Sequence, residues 1–64
     1  MSEITDLLTE QGKSWELDAT SKDSVIITVF SCSLDYKILK ECCKYNNFQG
    51  VISSNLALKL KFLK

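Results

Sequence analysis

The chain has 64 residues, a hydrophobic fraction of 45%, a charged fraction of 25% and a formal net charge of zero. That length makes a single domain near the lower limit at which one core holds without staples, and the composition is that of a folded chain rather than a disordered one. Histidine, arginine and proline are absent, which removes the usual catalytic base, the commonest metal ligand and the planar fork for bidentate recognition of phosphate or guanine.

The charge is unevenly spread along the sequence. Residues 1–36 hold seven acids against Lys13 and Lys22, a balance of −5, and residues 37–64 hold six lysines against Glu41, a balance of +5. No run approaches the roughly 20 apolar residues needed to span a bilayer, and the start MSEITDLLTE is acidic, without the basic region of a secretory signal. Three cysteines are an odd number for a closed disulfide framework, and reduced thiols in a cytoplasmic setting are the expectation.

In chain order, SEITDLLTEQG places Ile4, Leu7 and Leu8 at helical spacing, with Ser2 as a candidate N-cap and Gly12 where a C-cap belongs. This predicts a short helix over about 3–11. SWELDAT alternates, with Trp15, Leu17 and Ala19 on one side and Glu16, Asp18 and Thr20 on the other, as in a half-buried strand. After the turn SKDS, the segment VIITVFSC (25–32) is β-branched and aromatic on both faces, a more central strand that should pair with its predecessor in a hairpin.

The segment SLDYKILKECCKYNNFQG then turns helical, over about 34–46, with Ser33 as N-cap and Asp35 in the first turn. On a helical projection Leu34, Ile38, Leu39, Cys42 and Tyr45 fall within about 140°, and Lys37, Lys40, Glu41 and Lys44 occupy much of the opposite arc. Asn46, Asn47 and Gly50 supply the exit. The end of the chain alternates Leu56, Leu58, Leu60 and Phe62 against Ala57, Lys59 and Lys61, which predicts a strand. Residues 51–53 either form a separate strand paired with it through SSN or belong to one long bent strand.

The expected architecture is a single small α+β domain over 1–64, in the order α-β-β-α-β(-β). An antiparallel sheet is packed by the amphipathic helix and the short N-terminal one. Adjacent placement of the first and last strands would set Glu16 and Asp18 beside Lys59 and Lys61, in cross-strand pairs of roughly 0.2–1 kcal/mol each.

ECCKY is the stretch that looks chemical. A structural zinc site has ligand pairs two to four residues apart, whereas Cys32 precedes Cys42 by ten and Cys43 is adjacent to Cys42. Neighbours on a helix also point about 100° apart, and the C-x-x-C redox spacing is missing. Cys42 is expected in the core, Cys43 at the boundary beside Tyr36, and Cys32 as a core filler. No nucleophile elbow or phosphate-cradling glycine loop is present, so the expectation is no enzyme, no metal, no cofactor and no small-molecule substrate.

Two surfaces remain as candidates. Ile26 and Phe30 share the second face of the central strand, which becomes a partner or dimer interface unless the N-terminal helix covers it. Tyr36, Lys37, Lys40 and Lys44 form a helix face able to track a nucleic-acid backbone, although net neutrality argues for plain solvation. The function expected is therefore a protein–protein interaction module, acting on a larger protein or on itself: a regulator, an inhibitor such as phages and mobile elements encode, or an accessory subunit. A small nucleic-acid-binding accessory protein is the alternative.

Overall fold

The structure, a computed structural model, describes residues 2–30, 35–54 and 56–64. Two helices and four strands follow in the order α1 (Ser2–Glu10), β1 (Trp15–Asp18), β2 (Ser24–Phe30), α2 (Tyr36–Cys42), β3 (Phe48–Ser53) and β4 (Ala57–Leu63). The strands make one antiparallel sheet with the spatial order β1-β2-β4-β3. The protein is thus a small α+β domain, with a separate strand at 48–53 in place of a single bent one.

β2 sits inside the sheet because it is the strand with apolar side chains on both faces. That position settles the charge pattern differently from expectation. Glu16 pairs with Thr28 and Thr28 with Lys59; Asp18 pairs with Ile26 and Ile26 with Lys61. Each acid therefore lies two strands, about 9.6 Å, from the lysine in its row, and the expected adjacent ion pairs do not form. Alternation determines which face a side chain occupies, but leaves the neighbouring strand open.

α1 begins at Ser2, so this serine opens the helix instead of preceding it. Its far end closes as a Schellman motif: Lys13 N donates to Leu8 O at 2.9 Å and Gly12 N to Thr9 O at 3.0 Å, with Gly12 in the left-handed region at φ 71. The near end is completed from a distance. The Ile4 amide, one of the orphan donors of a first helical turn, gives its hydrogen to the Tyr45 hydroxyl at 3.2 Å, and that hydroxyl donates to Glu3 Oε2 at 3.1 Å. Trp15 Nε1 also donates to Thr9 Oγ1 at 3.2 Å, holding the first strand to the helix.

α2 is shorter than its amphipathic pattern. Asp35 is the N-cap, its carboxylate accepting from Lys37 N at 2.8 Å; the expected cap, Ser33, lies outside the described residues, as do Leu34 and Cys32. The helix stops at Cys42 because the following turn tightens, with Lys44 N bonded to Glu41 O and Tyr45 N to Cys42 O, each three residues back. Asn47 belongs to the exit and fastens it to the last strand: Leu63 N donates to Asn47 O at 2.8 Å and Asn47 Nδ2 to Leu63 O at 2.6 Å. Gly50, expected in that exit, lies inside β3 at a register shift against β4.

Both helices pack on the same side of the sheet. Ile4 and Leu8 of α1 and Ile38 and Cys42 of α2 join Ile27, Val29, Leu58, Leu60 and Phe62 in one cluster whose members are all fully buried. Tyr45 and Phe48 tilt against Phe62 at ring-centroid distances of 5.5 and 5.3 Å, geometries favoured by the ring quadrupole. α1 accordingly does not cover the second face of β2. That face is left without a layer of its own among the described residues.

Candidate functional site

The uncovered face is built from alternate residues of all four strands. β2 contributes Ile26, Thr28 and Phe30, with Ser24 at its start already buried; β4 contributes Ala57, Lys59, Lys61 and Leu63; the edge strands add Glu16 and Asp18 on one side and Gly50 and Ile52 on the other. Phe30, Leu63 and Ile52 are 42%, 41% and 61% exposed. Ile26 is only half-buried, and its cross-strand neighbour on β4 is the exposed Lys61. Apolar groups of this size on the open side of so small a domain are what a partner surface presents.

Charge divides this face into halves. The acids are confined to β1 and the lysines to β4, with the apolar and threonine side chains of β2 between them. Asp18 is held in its ionised form: its carboxylate accepts from the Thr20 hydroxyl at 2.7 Å and from the Thr20 amide at 3.0 Å. These bonds lower its pKa below the ordinary value, outweighing desolvation, and the positive charge of Lys64 acts in the same direction. Lys64 is itself anchored, its Nζ donating to Ala19 O at 2.7 Å and its amide to Asp23 O at 2.9 Å.

On the β3 side the face has a shallow hollow of about 280 Å³, lined by Gln49, Gly50, Val51, Ile52 and Lys61. Its cause is local. Gly50 carries no side chain at the irregularity of the β3–β4 pairing, and a Cβ built there would meet nothing within 4 Å. Periodicity alone did not reveal this hollow, because it depends on Gly50 being in a strand.

Ile26 and Phe30 thus share a surface, and the other four sequence candidates occupy a different layer. Tyr36, Lys37, Lys40 and Lys44 are all exposed on or just after α2, which turns Ile38 and Cys42 towards the sheet's covered face. Tyr36 is 76% exposed. Lys44 is engaged by Glu41 at 3.1 Å, a helical ion pair at a spacing of three residues that leaves Lys37 and Lys40 as the other cations of the row.

The two described cysteines have opposite surroundings, and both are free thiols. Cys42 is fully buried, and desolvation, followed by the neighbouring Cys43 and Glu41, pushes its pKa up to about 12, far from a reactive thiolate. Cys43, expected at the boundary, is exposed at the C-cap of α2. Burial likewise raises the Tyr45 hydroxyl above its ordinary value, with Glu3 reinforcing the shift and the Ile4 amide opposing it. Among the described residues no group of three His, Cys, Asp or Glu side chains is placed to hold a metal ion. None of the described helices is long and apolar enough to cross a membrane.

Compared with models of known protein families, with curated proteins and with solved structures, the chain matches none.

Proposed function

We propose that the chain is a non-enzymatic protein–protein interaction module whose working surface is the open face of the sheet, and that it regulates, inhibits or assists by occupying a surface. The observation that carries this reading is the one-sidedness of the fold. Both helices pack on one face, while Phe30, Ile52 and Leu63 stand in solvent on the other beside a fixed arrangement of two acids and two lysines. A surface of this kind gains apolar burial on binding, and its charges select the orientation of what binds. The reading places the protein in the cytoplasm, where an exposed thiol such as Cys43 stays reduced.

The test compares wild type with Phe30→Asp and Thr28→Lys, both on the outer face, for retention of a host partner on immobilised protein and for self-association in sedimentation. Loss of binding with an unchanged melting temperature is expected for both variants. A wild-type protein that neither retains a partner nor self-associates overturns the reading.

The second reading, a nucleic-acid backbone tracked by Tyr36, Lys37, Lys40 and Lys44, draws on the 76% exposure of Tyr36 beside cations on a single helix. It predicts binding that weakens steeply with salt and is lost when Lys37 and Lys40 become glutamate. The absence of binding to single- and double-stranded DNA and RNA at low salt removes it.

A further inference from the structure

We infer that the occupant of the open face is a second copy of the chain, related by a two-fold axis running along the strands. This inference rests on the reading of that face as an interaction surface. It follows from how the rows of the sheet are populated.

Two copies of one sheet can pack face to face, with strands nearly aligned, in two symmetric ways. An axis in the sheet plane and perpendicular to the strands lays each strand on its own copy. Glu16 and Asp18 would then oppose the partner's acids, and Lys59 and Lys61 the partner's lysines, which like-charge repulsion disfavours. An axis along the strands and midway between β2 and β4, which overlaps the two faces fully, instead lays β2 on the partner's β4 and β1 on the partner's β3, given the strand order β1-β2-β4-β3. A two-fold allows no slide along its own axis, so every cross-strand row meets the same row reversed.

Under that operation the rows complement one another in both size and charge. Phe30 pairs with Ala57 within one sheet, so the large ring of each copy faces the small alanine of the other. Asp18 shares its row with Ile26, Lys61 and Gly50, which brings its carboxylate over the hollow at Gly50, next to the copy's Lys61. Glu16 shares its row with Thr28, Lys59 and Ile52, so it lies over Ile52, one strand from the copy's Lys59. One strand spacing of about 4.8 Å and a sheet separation of about 10 Å put these backbones about 11 Å apart, a gap that a lysine and a carboxylate side chain span together. Symmetry doubles both contacts, giving four acid–lysine pairs around an apolar centre, and the separation of charge within one copy becomes pairing between two.

Sedimentation of the full chain over a range of concentrations tests this at low and high salt. A dimer that weakens with added salt is expected. Glu16→Lys with Asp18→Lys makes the four charged positions all positive, and Lys59→Glu with Lys61→Glu makes them all negative. Each double variant alone should dimerise at least tenfold more weakly, with circular dichroism retained because the positions are exposed and the melting temperature lowered only slightly, in the first variant, by loss of the Asp18–Thr20 bonds. An equimolar mixture of the two should recover a heterodimer, since every pair is again of opposite sign.

A wild type that stays monomeric overturns the inference, as does a dimer indifferent to both reversals or a pair of folded variants that fail to recombine. A monomer that still captures a different protein through Phe30 removes the self-pairing and leaves the interaction reading in place. A monomer that captures nothing removes both.

Discussion

The two faces of one sheet are built by the same strands yet have opposite fates. On the covered side Ile27, Val29, Leu58, Leu60 and Phe62 are sealed by two helices with no accessible surface. On the open side Ile26, Phe30, Ile52 and Leu63 alternate with charge and remain wholly or partly in solvent. The difference lies in how apolar groups are distributed over the rows: the covered face carries an uninterrupted apolar set across β2 and β4, whereas every open row contains a charged or small side chain. Burial therefore holds the fold together from one side and leaves the other free to respond to a partner.

The contrast is broken most severely by Leu60→Ala, which removes a fully buried side chain from the centre of the covered face. A loss of about 2–5 kcal/mol is expected, a large part of the few kcal/mol typical of a domain this small. Chemical denaturation should show a largely unfolded chain.

Alkali should attack the same side. A buried neutral thiol binds its proton more tightly in the folded state than in the unfolded one. Its stabilising contribution is therefore complete below the ordinary value of 9.0 and is lost as pH rises towards about 12. With allowance for solvent screening, stability should fall by roughly 1 kcal/mol for each pH unit in that window. The urea midpoint should follow this slope, which should become shallower in Cys42→Ala.

Gly12→Ala tests how α1 is directed onto the covered face. A side chain at φ 71 should cost about 1 kcal/mol through strain in the left-handed region, read as a lowered melting temperature. The smallest stability change belongs to the open face: Phe30→Asp should alter the melting free energy by no more than about 0.5 kcal/mol while abolishing association. A large loss of stability there would show that the two faces are not separate in role.

The elements themselves were largely legible. Periodicity found α1, the β1–β2 hairpin, the buried Ile38 and Cys42 of α2, and the inward row Leu58, Leu60 and Phe62, because each depends on local alternation against a core. It overran at element ends, where Leu56 is 79% exposed ahead of β4 and α2 stops at Cys42; its other misses were non-local. Glu16 and Asp18 suggested lysine neighbours, but β2, which carries apolar side chains on both faces, took the place between them. Gly50 resembled a helix exit from its composition and lies within a strand, since the turn after Cys42 closes early. The open face was legible as Ile26 and Phe30; its division into an acidic and a basic half required the strand order.

The Tyr45 hydroxyl reaches back 41 positions to the Ile4 amide. α1, only nine residues long, is too short to persist alone in water, and this distant group supplies its first turn. One of the first-turn bonds of the helix is thus made by the chain beyond α2, in addition to the burial of Ile4 and Leu8 in the core. Exchange protection at the Ile4 amide reports whether the two ends of the molecule have met, so a local hydrogen bond becomes a gauge of global assembly.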